Sequence, residues 1–286
     1  DTAKVVFSGI ICAVGLIGNL MVIFVILVLR EYKKSVTHWY VLQLAIADSL
    51  FLLTLPFKMV EDIHGNWIYS EWMCKGKETL LFLNYYASIL FLVVMSIDRY
   101  IAVCHTFSTS LQKLRRPAVS VLITAVTWLI ALLMCIPIML YSFKVGQKGS
   151  CICRYACHYW TRPRGWTVFN MFNFVVMFLI PFWVMVACYG LIIHRSSCRG
   201  RKHSSRSDRD RRRVTIMCAS LVACFVFCWL PFHAVHMAKI AGIMVPISRV
   251  TLENRIFIVL PVVGSLLAYL NSALNPYLYS FLGTSF

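Results

Sequence analysis

The chain has 286 residues, of which 60% are hydrophobic and only 14% charged, with a formal net charge of +17. A soluble domain normally carries about 25% charged residues, so this composition excludes an ordinary globular protein. The excess of positive charge lies between long apolar runs rather than in a basic domain, which argues against nucleic acid as a partner.

Crossing a bilayer takes about 20 apolar residues at roughly 1.5 Å each. Seven runs reach that length: 5–29, 38–60, 79–104, 118–141, 167–194, 214–238 and 256–280. They leave no room for a separate soluble domain. The expected fold is therefore all-α, one seven-transmembrane helix bundle over residues 1–286, with a short cytoplasmic segment after the seventh helix. Gly and Pro recur inside the runs, which membrane helices tolerate and strands do not. The chain begins at Asp1 with no signal peptide, so both ends are expected to be trimmed from longer tails.

With the N-terminus outside, the loops 30–37, 105–116 and 195–213 are cytoplasmic and hold 15 Lys/Arg against 3 acids. The extracellular segments hold 11 against 6, so the positive-inside rule favours that orientation. The densest stretch, 195–213, reads RSSCRGRKHSSRSDRDRRR and suits anionic inner-leaflet lipid.

Within the runs, polar residues are rare and informative, because an ionisable group in lipid is costly. Asp48 sits in LAIAD of the second run; Asn84 and Ser88 are one helical turn apart in the third, as are Asn271 and Asn275 in the seventh. One carboxylate with several amide and hydroxyl oxygens suits a small hard cation, and equally suits an interhelical hydrogen-bond network. The third run ends in MSIDRYIAV, with Asp98 and Arg99 adjacent at its cytoplasmic end. Pro181, Pro231 and Pro276 mark the last three runs, as hinges or as simple helix distortions.

Cys12, Cys104, Cys135, Cys188, Cys218, Cys224 and Cys228 fall in or at the ends of runs, where a thiol behaves as a small hydrophobe. Cys198 is cytoplasmic and expected to be reduced. Cys74, Cys151, Cys153 and Cys157 are extracellular, where disulfides persist. The cluster CICRYACH also has metal-ligand types, but an oxidising compartment favours disulfides. No GxSxG, HExxH or Gly-rich phosphate loop is present, so the chain is not expected to be an enzyme. The seventh run has no lysine for a retinal Schiff base, and no internal repeat suggests a transporter.

Gly18–Asn19, Asp48, Cys74, Asp98–Arg99–Tyr100, Trp128, Pro181 with Tyr189, FVFCWLP (Phe225, Cys228, Trp229, Pro231) and NPYLY (Asn275, Pro276, Tyr279) form an ordered set, at least one per run. This set resembles the rhodopsin-like, class A G-protein-coupled receptors, over essentially the whole chain. The resemblance implies a multi-pass plasma-membrane receptor that couples to a heterotrimeric G protein. It implies that Arg99 meets the G protein, that Asp98 restrains it at rest, and that Tyr189 and Tyr279 swing toward it on activation. Phe225 and Trp229 resemble the switch beneath the ligand pocket. Asp48, Asn84, Ser88, Asn271 and Asn275 match the family's allosteric sodium pocket; no other cofactor is expected. Cys74 resembles the helix-three partner of a disulfide to the second extracellular loop, with Cys153 or Cys151 as the other half. The chain departs from the family where many members carry an acid at the start of helix six: here Arg211 stands nearby, which implies a leakier resting state.

Amine receptors of this family resemble one another in an aspartate at the position of Leu81, so an amine ligand is not expected. TLPF (54–57), MSIDRYIAV, FCWLPFH and the basic third loop resemble the somatostatin, galanin and urotensin receptors, with some chemokine- and chemoattractant-receptor character. The expected ligand is an extracellular peptide, and the G protein of the inhibitory class. The expected pocket comprises Lys58, Glu61, Glu78, Leu81, Tyr85, Asn173, Phe232, His233, His236 and Ser265. Three roles are open to Lys58 there: a ligand anchor, a partner of Glu78, or a snorkelling side chain. Arrestin, receptor kinases and membrane lipids are further expected partners. A chemokine or chemoattractant ligand, an acidic lipid ligand and a non-signalling scavenger on the same fold are the competing readings.

Overall fold

The computed structural model describes residues 2–33, 35–147, 150–155, 163–198, 206–241 and 256–282. The helices are α1 (Thr2–Val28), α2 (Val36–Leu52), α3 (Leu55–His64), α4 (Glu71–Cys104), α5 (Thr109–Gln112), α6 (Pro117–Tyr141), α7 (Pro163–Phe174), α8 (Ile180–Cys198), α9 (Arg206–Ile240) and α10 (Ile256–Leu282). Six stretches are long and apolar enough to cross a membrane, and α10, at 27 residues, supplies the seventh span. The second span is built from α2 and α3. The fifth is built from α7, a π-helical turn (Val175–Leu179) and α8. Among the described residues, α4 is the central column, packed against α2, α6, α8 and α9, while α1 and α10 pack on each other and close the ring. The outer faces of α1 (Leu20, Phe24) and α6 (Leu122, Leu129) stay exposed and apolar, as lipid-facing surfaces must be.

The second span is not the continuous helix that the run 38–60 suggests. Pro56 enters the first turn of α3 and has no N–H for the carbonyl of Leu52, so the helix breaks at Leu53–Thr54. The Thr54 hydroxyl donates to the Phe51 carbonyl at 2.7 Å and steadies the break. A carbonyl freed by a proline has no water to turn to inside a bilayer, so another helix must serve it. Three such carbonyls are served here. The Cys12 thiol lies 3.6 Å from the Leu52 carbonyl below Pro56. The Tyr85 hydroxyl donates to the Met177 carbonyl, freed by Pro181, at 3.1 Å. The Asn19 amide donates at 2.9 Å to the Ser272 carbonyl, freed by Pro276. The sequence pairs Asn19 with Pro276 and Tyr85 with Pro181 thus have a physical reason: each partner repairs the backbone that the proline breaks.

Two glycines act through backbone geometry. A Cβ on Gly15 would lie 2.7 Å from Leu52 and 2.9 Å from Ala273, so glycine lets α1 approach α2 and α10. Gly65 ends α3 with φ 61°, the left-handed cap that glycine adopts without strain.

The all-α expectation misses one element, an antiparallel hairpin of β1 (Ser142–Gln147) and β2 (Ser150–Tyr155) that pairs Lys144 with Cys153. A disulfide joins Cys153 to Cys74 near the start of α4. Of the two expected partners, Cys153 is therefore the one, and Cys151 is not. The backbone of Cys151 is instead engaged with the loop before α4: its N–H donates to Asn66 at 2.7 Å and its carbonyl accepts from the Trp67 N–H at 2.6 Å. Trp67 is buried against the disulfide. Since disulfides persist in oxidising compartments, this end of the bundle is the extracellular one. Cys157 and the segment after the seventh helix from residue 283 lie outside the described residues.

Candidate functional site

A cavity of about 390 Å³ opens toward the hairpin end. Nine of the ten expected pocket residues line it: Lys58, Glu78, Leu81, Tyr85, Asn173, Phe232, His233, His236 and Ser265. Its walls differ in character. The charged side chains Lys4, Lys58, Asp62, Lys77 and Glu78 come from α1, α3 and α4, whereas α7, α9 and α10 contribute aromatic, amide, imidazole and small residues.

The tenth residue, Glu61, is not on the cavity wall. It is buried behind it, where one carboxylate oxygen accepts the Cys153 backbone N–H at 2.6 Å. The other accepts from Lys58 at 2.7 Å and lies 3.8 Å from Lys77. Glu61 thus fastens the hairpin to α3 and α4. Lys58 pairs with Glu61 and Asp62 (3.0 Å) rather than with Glu78, which takes Lys77 at 2.9 Å. Lys4 of α1 reaches Asp62 at 2.8 Å. Among the described residues, every lysine lining the cavity is therefore answered by a carboxylate, and that part of the rim is zwitterionic rather than basic.

The cavity floor is a ring assembly. Tyr85 lies 4.4 Å from Trp229 and 6.1 Å from Phe225, centroid to centroid, and its hydroxyl is 3.0 Å from His233 Nε2. With Met177 as acceptor, that hydroxyl ties α4, the fifth span and α9 at one point. His233, Trp229 and Phe225 are spaced by four on α9 and so share one face. Pro231 lies in the same helix. Tyr86 donates to Asn173 at 2.8 Å and adds a second link from α4 to α7.

Below the floor lies the polar core. Asp48 is fully buried and accepts from Asn84 at 2.9 Å and from Asn275 at 2.8 Å. Ser272 Oγ donates to the Asn84 side-chain oxygen, Oδ1, at 3.4 Å. Ser88 Oγ and Asn271 Oδ1, one turn from Asn84 and Asn275, are buried without a hydrogen-bond partner. A hard-oxygen donor set of Asp48, Ser88 and Asn271 fits a small cation, with Asn84 and Asn275 holding the carboxylate in place.

At the cytoplasmic end, Arg99 Nε donates to Asp98 Oδ2 at 3.0 Å, and Arg99 Nη2 also reaches that oxygen. Both side chains are almost wholly buried. Two partners were not legible beforehand. Arg115, from the turn after α5, donates to Asp98 Oδ1 at 2.7 Å, and Thr37 of α2 donates to Oδ2 at 3.2 Å. Tyr189 and Cys218 lie within electrostatic reach of the Arg99 guanidinium, and Ser96 reaches the Tyr189 hydroxyl at 3.4 Å. Tyr100 faces away and bonds His105 at 2.9 Å. Pro276 packs against α1 at Gly18. The side chains of Tyr279 and Arg211 lie outside the described residues.

Lys4, Asp62, Lys77 and Arg115 are thus site residues that sequence reasoning counted only as loop charges. Three of their contacts, Lys4 with Asp62, Lys77 with Glu61 and Arg115 with Asp98, cross from one helix or loop to another, and no sequence spacing announces such pairs.

Comparison with known proteins agrees with this architecture. The family described as 7 transmembrane receptor (rhodopsin family) matches residues 18–279. The chain is 36% identical over 282 residues to somatostatin receptor type 2 of Mus musculus, covering 97% of this chain and 73% of that protein. Somatostatin receptor type 5 of Rattus norvegicus is 37% identical, with the same shares covered. Type 5 of Bos taurus is 36% identical over 280 residues, covering 97% of this chain and 72% of that protein. The chain belongs to the rhodopsin family of seven-transmembrane receptors and is a multi-pass plasma-membrane protein, not an enzyme.

Proposed function

We propose that this receptor binds an extracellular peptide in the cavity above Trp229 and activates a heterotrimeric G protein of the inhibitory class. The single observation that carries the reading is the shared face of α9. His233 and Trp229 line the cavity, Phe225 packs beneath them, and Cys218 lies within electrostatic reach of Arg99 toward the far end. A ligand that shifts the rings of the floor therefore acts on a helix that packs on α4 and runs toward Arg99. The relatives carry the name of a peptide receptor, which supports the ligand class. The zwitterionic rim supports it too: among the described residues a fatty carboxylate finds no cavity lysine that lacks a carboxylate partner, whereas a peptide brings both charges and backbone amides suited to Asn173. The inhibitory class rests on resemblance to the same relatives.

In this reading Asp98, Arg99 and Tyr100 form the coupling segment, and Tyr189, Pro231, Pro276 and Tyr279 take part in the opening. Sodium is held at rest by Asp48, Ser88 and Asn271, framed by Asn84 and Asn275. It supplies positive charge that stabilises the buried carboxylate. The basic 195–213 segment meets anionic lipid, and arrestin and receptor kinases act on the same cytoplasmic face.

The test is nucleotide exchange in membranes that contain the receptor and either an inhibitory- or a stimulatory-class heterotrimer, with parallel panels of peptides (somatostatin first) and fatty acids. Peptide-dependent exchange on the inhibitory heterotrimer is expected. Exchange driven by fatty acids alone, or by nothing in either panel, overturns the reading.

A further inference from the structure

Arg99 is not the sole cation on Asp98. The Asp98 carboxylate is divided: Oδ1 takes Arg115 at 2.7 Å, and Oδ2 takes Arg99 and Thr37. Arg115 reaches it from outside the bundle, held on the way by Gln112 at 3.4 Å, and its own side chain stays 26% exposed. Asp98 is 5% exposed, so any state in which Arg99 departs leaves a nearly buried carboxylate behind. A buried charge stripped of its partner is strongly unfavourable.

We propose that Arg115 is a positioning residue that acts through Asp98 to lower the cost of releasing Arg99. Two effects run in the same direction. At rest, Arg115 shares the carboxylate and weakens its hold on Arg99. After release, Arg115 and Thr37 remain on Asp98, so the carboxylate is not left uncompensated. The second cytoplasmic loop thereby sets how readily the receptor opens. This offers a physical basis for a loosely held resting state that does not depend on the residue at the start of helix six. The inference rests on coupling to a G protein through Arg99.

The experiment is basal and agonist-stimulated nucleotide exchange on the full-length receptor with its heterotrimer, at matched surface density. It compares wild type, Arg115→Gln, Arg115→Lys, Asp98→Asn and the double variant Asp98→Asn/Arg115→Gln. Arg115→Gln is expected to reduce basal exchange about three- to tenfold, the range expected for residues in direct contact. Arg115→Lys, which keeps the charge, should restore most of it. In the Asp98→Asn background, Arg115→Gln should have no further effect, whereas a merely structural role of the loop would persist there. Unchanged or increased basal exchange in Arg115→Gln overturns the proposal, as does an undiminished effect in the Asp98→Asn background. Absence of exchange in the wild type itself would instead mark failure of the coupling on which the inference rests.

Discussion

Replacing Glu61 with alanine is expected to loosen the hairpin against α3 and α4 and destabilise the receptor, although Glu61 does not line the ligand cavity. The side chain is 2% exposed and serves three partners at once: the Cys153 N–H, Lys58 and Lys77. Lys58 retains Asp62 and partial access to water. Lys77 is only 7% exposed and retains Glu78, the Cys153 carbonyl at 3.5 Å, and the face of Trp67 at 5.2 Å. The Cys153 N–H has no comparable substitute. Breaking a buried pair from one side costs about 3–5 kcal/mol, and an orphaned buried N–H about 1–3 kcal/mol, so a loss of roughly 3 kcal/mol or more is expected. Thermal unfolding of the detergent-solubilised receptor and peptide binding should both decline. Glu61→Gln, which keeps an acceptor for Cys153 but removes the charge, should fall between alanine and wild type. An alanine variant with wild-type melting behaviour and binding would show that the disulfide alone positions the hairpin.

The second large effect concerns Asp48. Asp48→Asn keeps the volume but removes the charge, and it places an amide where Asn84 and Asn275 now donate. Sodium added to wild-type membranes is expected to lower agonist affinity, because an ion held at Asp48, Ser88 and Asn271 stabilises the closed arrangement. Site-to-site couplings of this kind are commonly about 5–150-fold. The variant should lose the sodium effect, as should Ser88→Val to a smaller degree, while potassium leaves both unchanged. Polar contacts between membrane helices average only about 0.6 kcal/mol, so the variant should remain folded. A sodium effect that survives in Asp48→Asn would place the ion elsewhere.

The parts of this receptor that the sequence made legible are those governed by local chemistry. Seven spans follow from hydropathy, because lipid demands an apolar surface over a fixed length. Asp48, Asn84 and Asn275 were legible because polar residues in lipid are rare enough to be conspicuous, and the structure brings them into direct contact. The break at Leu53 was visible in Pro56 but hidden by the apolar run on both sides, since hydropathy does not register a missing N–H. The ion pairs were the least legible. Glu61 has its nearest partner three residues away in Lys58, yet its structural role depends on Cys153, 92 positions further on. Arg115 and Asp98 are 17 apart across a loop, and Thr37 is 61 away. Like-signed charges in a loop are interchangeable to any count, and only the fold decides which one meets the buried carboxylate.

Read-out of an extracellular ligand through the release of Arg99 is tested most directly by Arg99→Ala in agonist-stimulated nucleotide exchange. Peptide binding should survive in this variant, because Arg99 lies at the opposite end of α4 from the cavity. Exchange should fall to near the level of membranes without receptor. Exchange that continues at the wild-type rate, with the same peptide bound, would contradict the account.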